Sequence, residues 1–260
     1  MIIDCHCHAG KGDKMTAPWN TDAPMGAYLR RARAAGIDKT VVLAPLHGDY
    51  RRANAQVAQI VARYPDRLIG FAFVHTKRDA GRIFRMVKHA VTRWNFRGIK
   101  VHGFEAMPTR EVCETAQAFR LPMLVDVISR PEVIDMFAPE YPKVNFIIEH
   151  GGKTDFSPAN DFEKAAPLWR LASHPNLYMK ITPQVYTKKR KLDENRAIFT
   201  KLFSVLGAQR LAWGSNFPAS EGTLTEILQD MKDSVAHLPQ SDQEWILGKT
   251  ALKLYPVLAK

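Results

Sequence analysis

Of the nine histidines in this chain of 260 residues, six sit at or just past the ends of short β-like runs: His6, His8, His47, His75, His102 and His150. Imidazole is a poor filler for a core, but near neutral pH it can ligate a metal, take up a proton or contact an anion. The other three, His89, His174 and His237, fall elsewhere. The densest local signal is Asp4-Cys5-His6-Cys7-His8. Side chains alternate faces along a strand, so the spacing predicts Asp4, His6 and His8 on one face and Cys5 and Cys7 on the other. That alternation argues against a mixed Cys/His zinc site. Two imidazoles two residues apart can reach a single divalent cation, and Asp4, one step deeper, is placed to orient a ligand. The plain alternative is a polar pair where a strand meets solvent.

By the same alternation Lys100 and His102 share a face and point inward. A buried lysine is costly unless it meets an anion. Lys100 therefore reads as a carboxylate or phosphate contact, as a carbamylated metal bridge, or as the partner of Asp126 in an internal ion pair. Tyr178, Lys180 and Thr182 form another inward row, and Arg130 offers a planar fork for a carboxylate. His47 and His75 join Lys100, His102, Arg130 and Lys180 as candidate substrate contacts. The run Thr187-Lys188-Lys189-Arg190-Lys191-Leu192 reads first as solvated surface and second as a lid that attracts an anion. Trp19 is expected to cover the site, and Trp169 and Trp245 to pack as helix residues.

These residues need a scaffold that brings them together. β-like runs recur at 2–8, 40–46, 68–75, 98–102, 122–128, 144–150, 177–182 and 210–216. Helical spacing lies between them at 27–35, 83–94, 109–119, 197–206 and 224–235. Ser241 and Glu244 have capping-box spacing, which predicts an extra C-terminal helix to about residue 255. This alternation predicts an α/β fold, a (β/α)8 TIM barrel of parallel strands in a single domain over 1–260. In such a barrel the strand ends share one rim, where active sites occur. No glycine-rich dinucleotide-binding turn follows an early strand.

Composition agrees with a folded domain, at 46% hydrophobic and 24% charged residues. Three cysteines are too few for a disulfide framework and suit a reducing compartment. The apolar stretches are too short to span a bilayer and no leader is visible, so a soluble cytoplasmic protein is expected. Lys+Arg 37 against Asp+Glu 26 gives a net charge of +11, which favours anionic partners. No nucleic-acid motif accompanies it, so neither nucleic acid nor membrane is expected as a partner. A homo-oligomer is compatible with everything above.

The motifs together resemble the amidohydrolase-related family, which includes aminocarboxymuconate-semialdehyde decarboxylase and pyrone-dicarboxylate lactonase. Ile3-Asp4-Cys5-His6-Cys7-His8 is similar to the family's opening strand and Gly98-Ile99-Lys100-Val101-His102 to its fourth. Phe146-Ile147-Ile148-Glu149-His150-Gly151-Gly152 is similar to its sixth, and Trp213-Gly214-Ser215-Asn216-Phe217-Pro218 to its eighth. The stretch 246–254 resembles its last helix. The resemblance implies His6 and His8 as metal ligands and His150 as the acid/base residue. Two positions depart from the pattern. Asp126 stands where metal-binding relatives carry histidine, and Asn216 where they carry the catalytic aspartate. A carboxylate can replace an imidazole as ligand, but an amide cannot serve as a general base.

Two arrangements accommodate these departures. In one, His6, His8 and Asp126 hold a divalent cation, zinc first, while His150 moves protons and Asn216 orients substrate or water. In the other there is no metal, and histidines and lysines bind the substrate directly. Asp126 also reads as a structural carboxylate bonded to a neighbouring loop. The expected activity is hydrolysis of a small carboxylated compound, a lactone or similar C–O bond. Non-oxidative decarboxylation of an aromatic or unsaturated acid is the runner-up. A silent barrel that binds an anionic ligand is the third reading, motivated by Asn216.

Overall fold

Alternating β-branched and apolar runs form the predicted parallel strands in a computed structural model that describes residues 1–13, 22–128, 130–187 and 189–259. The barrel strands are β1 (Ile3–His8), β2 (Lys39–Leu43), β3 (Leu68–Gly70, continued by Ala72–Val74) and β4 (Ile99–His102). They continue as β5 (Met123–Asp126), β6 (Phe146–Ile148), β7 (Leu177–Ile181) and β8 (Leu211–Trp213). Each pairs in parallel with the next in sequence. At Phe71 the third strand changes partner: its first half pairs with β2 and its second half with β4. The ring closes where Asn216 N donates to the His6 carbonyl at 2.7 Å and His8 N to the Phe217 carbonyl at 2.7 Å. This is the expected TIM barrel.

The outer layer holds α1 (Met25–Ala35), α2 (Tyr50–Arg63), α3 (Ile83–Trp94), α4 (Arg110–Phe119), α5 (Glu132–Phe137), α6 (Ala166–Arg170), α7 (Leu192–Leu206) and α8 (Leu224–Val235). In α3, Ile83, Val87 and Ala90 are the buried residues, the one-face spacing its sequence shows. Trp169, in α6, and Trp245 are half-buried and pack against the main core, as expected. The capping box differs from expectation. It lies at Thr223 and Glu226, at the start of α8, whereas Pro239 opens the C-terminal helix without a side-chain cap. Ser241 lies inside that helix, so its spacing to Glu244 is coincidental.

Two apolar clusters result. The larger lies between strands and helices. The smaller fills the barrel interior with Ile3, Cys5, Leu124, Ile147, Tyr178 and Ala212, and Leu254, Tyr255 and Leu258 close it from the C-terminal segment. Polar residues take over one step further along the strands. Trp19 and Lys188 lie outside the described residues.

Candidate active site

Strict alternation fails in β1. Between Asp4 and Cys7 the register with β2 shifts by one residue, a β-bulge. Asp4 makes this bulge by accepting the His6 backbone N–H at 3.0 Å. It accepts three further hydrogen bonds, from Tyr28 Oη at 2.7 Å, Ser215 N at 2.8 Å and Ser215 Oγ at 2.5 Å. Ile3 and Cys5 therefore join the interior cluster, while Cys7 packs with the outer one. Asp4 consequently does not share a face with His6 and His8. It fixes the backbone that carries His6, not the imidazole, whose Nδ1 is buried without a partner. Gly214 on β8 makes the close approach possible, since a Cβ there would lie 2.5 Å from His6 Cβ.

At the mouth of the barrel, His6 Nε2 lies 3.1 Å from His8 Nε2 and 3.2 Å from Glu149 Oε1. His150 Nε2 lies 3.5 Å from the same oxygen. Glu149 and His150 occupy a tight turn at the end of β6, where His150, Gly151 and Gly152 have φ of 52°, 60° and 71°. His8 Nδ1 is 2.9 Å from the Ala44 carbonyl and His150 Nδ1 is 2.8 Å from Thr182 Oγ1, so both rings are anchored from behind. Lys100 Nζ contacts the other Glu149 oxygen. All of these groups are buried. Burial pushes the His6 and His150 pKa values well below the usual imidazole value, and cations in the barrel add to that push. His8 is pushed down to about 3, also chiefly by burial. The three imidazoles are neutral near pH 7.

This donor set fits a divalent cation. A neutral His8 that gives its Nδ1 proton to Ala44 keeps a lone pair at Nε2. Donor atoms of a tetrahedral zinc site with bonds of ~2.0–2.1 Å lie roughly 3.3 Å apart, close to the spacings around His6 Nε2. His6, Glu149 and His150 bring their ligand atoms within 4.8 Å of one another, and His8 adjoins His6.

Asp126 is not among the groups that converge there. Its Oδ2 lies 3.1 Å from His102 Nε2 and 2.6 Å from Lys153 Nζ. Burial would raise the Asp126 pKa, but Lys100, His102 and Lys153 together hold it below the ordinary value. The structural alternative for Asp126 thus matches its surroundings. Lys100 is paired internally, but with Glu149 rather than Asp126, because Glu149 enters from the turn after β6. Lys180 differs from its expected substrate contact. Its Nζ donates to the Cys5 carbonyl at 2.5 Å, turned inside the barrel. His47 and His75 act within their own loops: Nδ1 of His47 accepts from Asp49 N at 2.8 Å, and Nδ1 of His75 accepts from Arg78 N at 3.1 Å. Arg130 is exposed on the loop after β5.

Asn216 is 2% exposed, its φ is 55°, and its Oδ1 has no partner. It lines a cavity of about 220 Å³ with Gln184, Thr187, Lys189, Glu221 and Asp230. The basic run therefore reaches the catalytic rim through Lys189. Spacing and residue type alone do not mark Glu149 or Lys153 as functional. Glu149 has a visible signal: it precedes His150 and shares inward parity with Ile147. Lys153 has none, because its side chain is aimed by a left-handed backbone, φ 53°.

The family model described as Amidohydrolase matches residues 3–257. The chain belongs to the amidohydrolase family. No curated protein matches it. Among solved structures, it is similar to a zinc-bound amidohydrolase from Burkholderia multivorans, at 17% identity and a TM-score of 0.79, covering 98% of this chain and 99% of that one. It is similar to a putative 2-pyrone-4,6-dicarboxylic acid hydrolase from Pseudomonas putida, at 22% identity and TM-score 0.77, covering 98% and 97%. A manganese-bound dihydroxybenzoic acid decarboxylase from Polaromonas sp. JS666 matches at 15% identity and TM-score 0.69, covering 98% and 97%. At these identities the likeness shows the fold, and both hydrolases and decarboxylases share it.

Proposed function

We propose that this amidohydrolase-family chain hydrolyses a small carboxylated substrate at a lactone or similar C–O bond. The observation that carries the reading is the meeting of His6 and His150 around Glu149 at the barrel mouth, with His8 against His6. His6 and Glu149, with His8 beside His6, are the residues that would hold a divalent cation. When bound there, the ion would polarise the substrate carbonyl and stabilise negative charge on its oxygen.

His150 carries the proton transfer. Its imidazole is neutral, so it accepts a proton from the attacking water and returns it to the leaving oxygen. Thr182 holds the ring in place during both transfers. The amide of Asn216 cannot act as a base, and its Oδ1 is placed to accept a hydrogen bond from water or substrate. Lys153, 36% exposed beside Asp126, and the exposed Arg130 are the cations we assign to a substrate carboxylate.

Hydrolysis and decarboxylation differ in their products. The test is incubation with 2-pyrone-4,6-dicarboxylate, simpler carboxylated lactones and hydroxybenzoic acids. Ring-opened acid without gas is expected, and His150→Gln should lower kcat by about 10²–10⁴-fold. Release of carbon dioxide would replace this reading with decarboxylation. No turnover, with ligand affinity unchanged in His150→Ala, would point to a silent barrel.

A further inference from the structure

The charge excess has an address that the reaction centre does not explain. Helices α1, α2 and α3 each carry three lysine or arginine residues and no aspartate or glutamate. On α2 these are Arg51, Arg52 and Arg63, and on α3 Arg85, Lys88 and Arg93, all exposed. Among the described residues, none of these six side chains takes part in an ion pair. Ordinary solvated helices intersperse charges of both signs, and a one-sign surface raises the local potential through self-repulsion.

Between α2 and α3 runs a groove formed of two concavities that share Trp94. One, of about 280 Å³, lies between Arg51 and Arg85 over Met86. The other, of about 490 Å³, lies beside Arg93, where small side chains such as Ala58 leave space along α2. Trp94 is half-buried, its ring edge-on to His89 at 4.7 Å between centroids.

We propose that this groove binds an acidic segment of a partner protein, one that presents apolar side chains along one face. The guanidinium groups at its rims supply bidentate sites for carboxylates. Its apolar floor of Met86, Trp94 and Ala58 takes side chains, in the manner of an amphipathic helix laid in a groove. A phosphate backbone or a lipid surface would use the rims but has no apolar row to seat in the floor. The site lies on the outer face of the helical layer, apart from the barrel mouth, so it stands whether or not the proposed reaction does.

The test is fluorescence anisotropy with a labelled 16-residue peptide of glutamates carrying leucines at helical spacing. Comparison ligands are the same peptide with the leucines changed to serine, a duplex DNA of matched charge and phosphatidylserine vesicles. The leucine peptide is expected to bind tightest, and more weakly as salt rises. The double variant Arg51→Glu/Arg85→Glu, made at exposed positions, should weaken it by about tenfold or more through like-charge repulsion. Met86→Ser, a second variant that leaves the charge unchanged, should weaken the leucine peptide but not the serine peptide. The proposal is overturned if the serine peptide, DNA or vesicles bind as well as the leucine peptide, if Arg51→Glu/Arg85→Glu binds it unchanged, or if nothing binds.

Discussion

Single side chains in this barrel take opposite roles according to which neighbour they meet. Lys100 and Lys180 are both buried inward lysines, yet one lies against a carboxylate and the other donates to a backbone carbonyl. Among the described residues Lys180 has no carboxylate in contact, and burial pushes its pKa down to about 8. Below about pH 8 both folded and unfolded states carry that proton, and the full cost of burying the charge is present. Between about 8 and the unfolded value of ~10.4, only the unfolded state binds it, so this residue makes stability rise with pH. Comparing urea unfolding of the wild type and Lys180→Met across pH 7 to 10.5 should therefore show a rise of order 3 kcal/mol in the wild type that the variant lacks. Parallel curves would contradict this. The sequence shows that both lysines face inward but not which partner each finds, because the partners arrive from distant turns.

At the scale of the element, β1 teaches most. Period-two alternation correctly places His6 and His8 together, yet misplaces Asp4 and Cys5, because one extra residue in the bulge inverts the parity before it. Four hydrogen bonds accepted by Asp4 maintain that bulge and tie it to α1 and to the loop after β8. Asp4→Ala leaves several of these buried donors unmatched and should cost about 3 kcal/mol or more in chemical unfolding. A loss under about 1 kcal/mol would show that the bulge does not depend on this carboxylate. The amphipathic helices α3 and α8 were legible to the residue, since each has a continuous apolar stripe. The left-handed turn after β6 was not legible, and with it the orientation of Lys153 was lost. Its Gly-Gly pair signals a turn without fixing where the next side chain points.

For the molecule as a whole, the repeated strand–helix rhythm was enough to predict the barrel, and the chain closes through backbone bonds between residues over 200 positions apart. Closure is what gathers histidines from β1 and β6 around Glu149. Among the described residues, no helix is long and apolar enough to cross a membrane. The total charge was readable at once, but its concentration on one arc of the barrel follows only from knowing that α1, α2 and α3 are successive outer helices. Such an arc repels itself, so raising sodium chloride from about 10 mM to 150 mM should raise Tm by screening. A flat or falling Tm would mean that these cations are already compensated.

The most direct test of the account is calorimetric titration of zinc into metal-stripped protein, with variants that separate the two clusters at the barrel mouth. If His6 and Glu149 lie at the heart of one reaction centre, the wild type and Asp126→Ala should each show one strong site, absent in His6→Ala and Glu149→Gln. A site that survives His6→Ala and Glu149→Gln but vanishes in Asp126→Ala would contradict it.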